Sequence, residues 1–214
     1  MNATATKRWD RIAWSKWLLF PAALLPALLL LQGALQNTLG ADPVKALTHA
    51  TGLWALRFLL LSLAMTPFRL WTGWTGFIRY RRMLGLYAFF YACLHLLVYL
   101  VLDLGTYWAD LLTDIQKRPY MTVGFGAWLI MLPLAITSTR GMIRRMGRHW
   151  QRLHRLVYVA GILAALHFLW LVKADLREPG IYAGILAVLL LARLWPKRRA
   201  RGTGPVGAAT TSRK

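Results

Sequence analysis

Six stretches of this chain are apolar over roughly the length a helix needs to cross a bilayer, about 20 residues for about 30 Å of hydrocarbon. They are residues 17–35, 46–65, 84–102, 121–136, 153–172 and 181–195. The fourth is the shortest and contains Pro133. None shows the alternation of a strand, and an open sheet in lipid would leave backbone groups unpaired. The first could serve as a signal peptide, but no small-x-small cleavage site follows it, so it is read as a span. These stretches predict an all-α, polytopic membrane protein, a bundle of six transmembrane helices joined by short connections. No internal repeat is visible.

The charges supply the orientation. Hydrophobic residues make up 57% of the 214, yet the formal net charge is +20, from 27 Lys and Arg against 7 Asp and Glu. A soluble nucleic-acid binder would explain the charge and not the apolar content, so nucleic acid is excluded as a partner. A membrane protein explains both if the basic residues are sorted to one side. They are. Lys7, Arg8, Arg11 and Lys16 precede the first span, and Arg69, Arg79, Arg81 and Arg82 lie between the second and third. Arg140, Arg144, Arg145, Arg148, Arg152 and Arg155 lie between or at the ends of the fourth and fifth, and Arg193 and the Lys and Arg after Pro196 end the chain. The opposite connections hold Lys45, Lys117, Arg118, Lys173 and Arg177 against Asp42, Asp103, Asp110, Asp114, Asp175 and Glu178. Six helices give this sorting with both termini cytoplasmic. The expected organisation is a basic cytoplasmic arm over residues 1–16, a membrane domain over 17–195 and a basic disordered tail over 196–214. The basic face also attracts anionic membrane lipid. Trp residues near the span ends, Trp150 among them, suit the headgroup layer.

Ionisable groups inside a membrane are costly and usually functional. Of the five histidines, His95 lies in the third stretch, and His154 and His167 in the fifth. At 1.5 Å per residue, His95 is about 16 Å in from residue 84 and His167 about 21 Å in from residue 153. Both fall on the outer half of the bilayer. Two imidazoles on separate helices at one depth can ligate a haem iron from both sides, whereas zinc would want four ligands. Packing through hydrogen bonds is the alternative role for a buried imidazole. His154 lies about 20 Å nearer the cytoplasm than His167 and projects about 140° away on a straight helix. It is an alternative ligand, part of a second site or a hydrogen-bond donor. Arg81 and Arg82 lie at its depth, and Arg forks bind phosphate. Arg57, inside the second span, would pair with a haem propionate, with Asp or with backbone. Gly124 and Gly126 allow close approach of a cofactor or of another helix. His49 and His149 fall in or near connections and should be solvated. The single Cys93 excludes a disulfide scaffold. The chain has no room for a dinucleotide-binding domain, so an electron donor and final acceptor would be separate proteins or quinones.

Several segments recur together in one family. They are Gly40-Ala41-Asp42-Pro43-Val44-Lys45, Thr66-Pro67, Arg81-Arg82-Met83-Leu84-Gly85-Leu86, Arg118-Pro119-Tyr120 and Thr137-Ser138-Thr139. Trp150-Gln151-Arg152-Leu153-His154-Arg155-Leu156-Val157-Tyr158 and His167-Phe168-Leu169-Trp170 complete the series. From about Ala41 to Leu194 the chain resembles the haem-binding membrane subunits of the bacterial periplasmic methionine sulfoxide reductase system, the MsrQ/YedZ family of the ferric-reductase-like transmembrane superfamily. The resemblance implies an inner-membrane electron-transfer subunit with haem b and FMN, rather than the catalytic subunit. It implies electrons from the quinone pool or a cytoplasmic flavin reductase, passed to a periplasmic molybdopterin-dependent reductase that repairs oxidised envelope proteins. Carried over by position, His95 and His167 are the axial haem ligands, His154 is a further haem candidate, and Arg81 and Arg82 would hold the FMN phosphate. A stand-alone reductase of the same superfamily and a non-redox assembly or transport protein are the alternatives; the missing dinucleotide domain counts against the first.

Overall fold

The structure, a computed structural model, describes residues 3–107, 110–172 and 175–194. All the elements in them are helical: α1 (Ala3–Leu35), α2 (Pro43–Thr72), α3 (Phe77–Val98), α4 (Asp110–Lys117), α5 (Pro119–Ile136), α6 (Arg140–Met146), α7 (Arg148–Leu153), α8 (Leu156–Leu171) and α9 (Arg177–Leu194). A π-helical turn, Tyr99–Asp103, prolongs α3. Trp17–Leu35, Pro43–Thr72, Phe77–Asp103, Pro119–Ile136 and Arg148–Leu171 are each long and apolar enough to cross a membrane. These match the first five stretches expected, mostly with longer ends. The sixth falls on α9, whose 18 residues carry Arg177, Glu178 and Arg193 at the ends. The chain is an all-α polytopic membrane protein. The basic arm expected over residues 1–16 is, from Ala3, the start of α1, and the tail expected over 196–214 lies outside the described residues.

Local chemistry sets the helix ends. Asp42 accepts the Lys45 N–H at 3.0 Å, and Pro43 occupies the first position of α2, where a missing N–H costs nothing. Gly73, at φ 71, ends the helix in the left-handed conformation. Arg118 precedes a proline and is extended, at φ −115 and ψ 94, which separates α4 from α5.

The second helix is the centre of the bundle. One face joins Phe58 and Leu59 to Leu84, Tyr87, Ala88 and Tyr91 of α3, Met131 of α5 and Ala160 of α8. Its other face joins Leu56, Leu60 and Leu63 to Ala165 and Phe168 of α8 and to Leu186 and Leu189 of α9. Pro67, inside α2, has no N–H, so the Leu63 carbonyl loses its usual partner, which is costly in lipid. Arg193 of α9 supplies the donor: its Nη2 reaches the Leu63 carbonyl at 2.6 Å, and its Nη1 donates to the Tyr158 hydroxyl. The first helix is attached differently. Trp17, Leu18, Leu28 and Leu31 are exposed, as a lipid-facing helix requires. It is held by the buried Tyr91, whose hydroxyl donates to the Ala23 carbonyl at 2.8 Å and accepts the Ala27 N–H at 3.1 Å. Tyr87 adds a bond to the Phe20 carbonyl at 2.9 Å.

Candidate functional site

Near the end of the bundle where α2 and α5 begin, His95 of α3 and His167 of α8 come together. Their ring centroids are 6.0 Å apart and their planes are inclined at 81°. His95 Nδ1 lies 2.9 Å from the Thr48 carbonyl, and His167 Nδ1 lies 2.6 Å from the Tyr120 carbonyl. A carbonyl only accepts, so each Nδ1 carries the proton and each Nε2 keeps a lone pair for an ion. A backbone carbonyl on the far nitrogen is the usual means of orienting an imidazole ligand. Two imidazoles bound at about 2.0 Å to opposite sides of one ion would have centroids about 6.3 Å apart. The observed spacing fits. Among the described residues, no group of three or more His, Cys, Asp or Glu is placed to hold a bare metal ion. A two-nitrogen pair therefore suits an ion whose remaining positions a macrocycle fills.

Glycines let the rings lie this close to their neighbouring helices. A Cβ on Gly52 of α2 would stand 3.1 Å from His95 Nδ1, and one on Gly124 of α5 would stand 2.5 Å from His167 Nδ1. Gly124 thus admits the His167 ring, while a Cβ on Gly126 would meet Leu163 at 3.9 Å, an ordinary packing contact. Backbone carbonyls and Gly52 were invisible to a search for ligand side chains. One sequence signal does find them. The accepting carbonyl and its histidine are 47 residues apart in both halves. Gly52 and Gly124 precede their histidines by one common interval, and Ala92-Cys93-Leu94-His95 matches Ala164-Ala165-Leu166-His167 at the same offset. No internal repeat runs along the chain, yet α2–α3 and α5–α8 build the two halves of the pair alike. The likeness is confined to a few positions, too few for self-similarity to show along the chain.

A cavity of about 840 Å³, counting its open mouth, lies toward the other end of the bundle. Arg81, Arg82, His154, Ser62, Ser138 and Phe89 line it with apolar side chains, and no lining residue is acidic. Arg81, Arg82 and His154 are therefore brought together, apart from the His95–His167 pair. The chain breaks between α7 and α8 at His154, the distortion that a straight helix lacks. The His154 ring stacks on Trp150, with centroids 3.9 Å apart. Its Nε2 lies 3.1 Å from the Thr137 hydroxyl, which donates its proton to the Pro133 carbonyl at 2.6 Å. The imidazole is thus the donor to Thr137, and Nδ1 keeps the lone pair. Trp150 also donates to the Thr137 carbonyl at 3.0 Å. The ring expected to suit the headgroup layer is thus also packed against His154. Ser62 fixes the start of α3 through the Arg81 carbonyl at 2.9 Å.

Among the described residues, Arg57 meets a tyrosine hydroxyl rather than an Asp or a backbone carbonyl. Its Nε donates to the Tyr182 hydroxyl at 2.7 Å, and its guanidinium lies 5.0 Å from the centre of the Trp54 ring. That contact ties α2 to α9. His49 and His149 are exposed, as expected. His49 lies 3.9 Å from Glu178 of α9.

Residues 51–165 match the family described as ferric reductase like transmembrane component. The chain is 58% identical over 196 residues to the protein-methionine-sulfoxide reductase heme-binding subunit MsrQ of Xanthomonas euvesicatoria, covering 88% of this chain and 89% of that protein. The chain belongs to the MsrQ family. The relative of the same name from Rhodospirillum rubrum is 52% identical over 196 residues, covering 91% of this chain and 94% of its own length. The segment matching the ferric reductase family holds Arg81, Arg82, His95 and His154.

Proposed function

We propose that this chain is the haem-binding membrane electron-transfer subunit of a methionine sulfoxide reductase system, with His95 and His167 as the axial ligands of a b-type haem. The observation that carries the reading is the pair itself, with both Nδ1 protons committed to backbone carbonyls and ring centroids 6.0 Å apart. A bound haem supplies a one-electron carrier within the bilayer. The residues do the rest. Thr48 and Tyr120 orient the rings, Gly52 and Gly124 give them room, and the apolar helices exclude water. The chain then lies in the bacterial inner membrane as six spans with both termini cytoplasmic, a basic arm over residues 1–16 and a basic tail over 196–214.

The cavity takes the second group. Two arginines with no acid beside them suit the phosphate of FMN, which a guanidinium fork binds in a bidentate manner. His154 belongs to whatever fills this cavity, with Nδ1 as its free nitrogen. Electrons enter from the quinone pool or a cytoplasmic flavin reductase, and leave to a periplasmic molybdopterin-dependent reductase.

Haem and flavin stoichiometry of the purified protein tests both halves. One bis-histidine haem and one flavin per chain is the expected result; two haems and no flavin would reassign the cavity. His95→Ala and His167→Ala should each remove most of the reduced b-type spectrum, and full haem in either would overturn the ligand assignment. Cross-links to the reductase should map to the α1–α2, α3–α5 and α8–α9 connections, and links from the opposite connections alone would overturn the direction of transfer.

A further inference from the structure

The two halves of the histidine pair differ beyond the carbonyls. Thr48 lies in an uninterrupted stretch of α2, whereas Tyr120 is the second residue of α5, just after the extended Arg118 and the opening Pro119. Something must fix Tyr120, because its carbonyl orients His167. A chain of polar contacts does so. Tyr99, one helical turn beyond His95, donates its hydroxyl to Asp114 Oδ2 at 3.1 Å. Asp114 Oδ1 lies 3.5 Å from Arg118 Nε, and Arg118 Nη1 reaches the Tyr120 hydroxyl at 3.5 Å. The Tyr120 hydroxyl and Asp114 raise the Arg118 pKa further, so the guanidinium stays charged throughout the working range. This strap runs from the His95 helix, across α4, to the residue that holds His167.

We infer that Arg118 is a positioning residue for His167: it holds Tyr120 by the hydroxyl, and Tyr120 presents its carbonyl to the His167 Nδ1–H. The inference rests on the reading of His95 and His167 as haem ligands. Its consequence is electronic. A firm Nδ1–H···O bond makes Nε2 more basic, stabilises the oxidised iron and lowers the reduction potential. Releasing Tyr120 weakens that bond and raises the potential. A cation acting only through space does the reverse, because its loss destabilises the more negative, reduced state and lowers the potential.

The two routes therefore differ in sign. Redox titration and low-spin electron paramagnetic resonance of the haem-loaded protein should be run on Arg118→Gln, Tyr120→Phe, the double variant and Arg118→Lys. Tyr120→Phe removes the hydroxyl and leaves the carbonyl. Arg118→Gln and Tyr120→Phe are each expected to raise the potential and alter the ligand signature. The double variant should move little further than either single one, and Arg118→Lys should restore part of the shift. A lowered or unchanged potential in Arg118→Gln, or shifts that add in full, would overturn the proposal. If Arg118→Gln loses its haem, the cycle is run between Arg118→Lys and Tyr120→Phe and judged by the same signs and the same test of additivity. Retention of haem by His167→Ala would instead remove the underlying ligand assignment, so the two failures are distinguishable.

Discussion

The His95–His167 pair and the Arg81–Arg82–His154 cavity are built from the same helices and prepared for different guests. At the pair, both imidazoles are oriented by backbone and cramped against glycines, and little room is left for movement. At the cavity, one imidazole is held by a threonine and a tryptophan, and two arginines line an open space without a counter-charge. The first region has its geometry set before anything binds. In the second, charge is set and shape is loose. A site that must hold an ion on both sides needs the former, and one that takes an anionic group through an open mouth manages with the latter.

That contrast can be broken most severely at Gly124. An added methyl would stand 2.5 Å from His167 Nδ1, and the ring cannot retreat without giving up the Tyr120 carbonyl. Overpacking of about 1–3 kcal/mol outweighs the helix preference of about 1 kcal/mol that alanine brings. Gly124→Ala should lose most of the bis-histidine spectrum while cavity-bound flavin stays, as read by absorbance and flavin fluorescence. The converse experiment is Arg81→Gln with Arg82→Gln. Each lost charge-assisted bond is worth about 1.5–3 kcal/mol, so flavin retention should fall at least about tenfold per arginine with the bis-histidine spectrum intact. A smaller effect belongs to the scaffold common to both. Arg193→Met leaves the Leu63 carbonyl without a donor and should cost about 1–3 kcal/mol by thermal unfolding in detergent. Pro67→Ala, which returns an N–H to α2, should recover part of that loss. Smallest is Gly52→Ala. Its methyl would stand 3.1 Å from His95, which a shift of a few tenths of an ångström relieves, so haem should stay bound with a perturbed spectrum.

Hydropathy was enough to locate five of the six expected spans, because a bilayer demands long apolar helices whatever their neighbours do. Depth along those helices was enough to pair His95 with His167 and to set Arg81 and Arg82 beside His154. Less legible were contacts made by groups that every residue owns. The carbonyls of Thr48 and Tyr120 carry no compositional mark, and they emerge only when the equal spacing in the two halves is compared. The stacking of Trp150 on His154 was not legible, because a ring in the headgroup layer and a ring stacked on a histidine look the same along a sequence. Arg193 was counted with the basic end of the chain. It also serves α2, and the clue was Pro67, which must leave a carbonyl seeking a donor wherever lipid excludes water.

The equal construction of the two histidine arms has one more consequence. A carrier held by like carbonyls and like glycines from either side gains no forward face from those contacts. Any one-way flow through this bundle must then be imposed from its ends. One end offers guanidinium groups around an open chamber, and the other carries Asp114 against Tyr99 and Arg118, and Glu178 near His49. On the proposed reading, the pair carries the electron and the groups at the two ends select what gives and takes it.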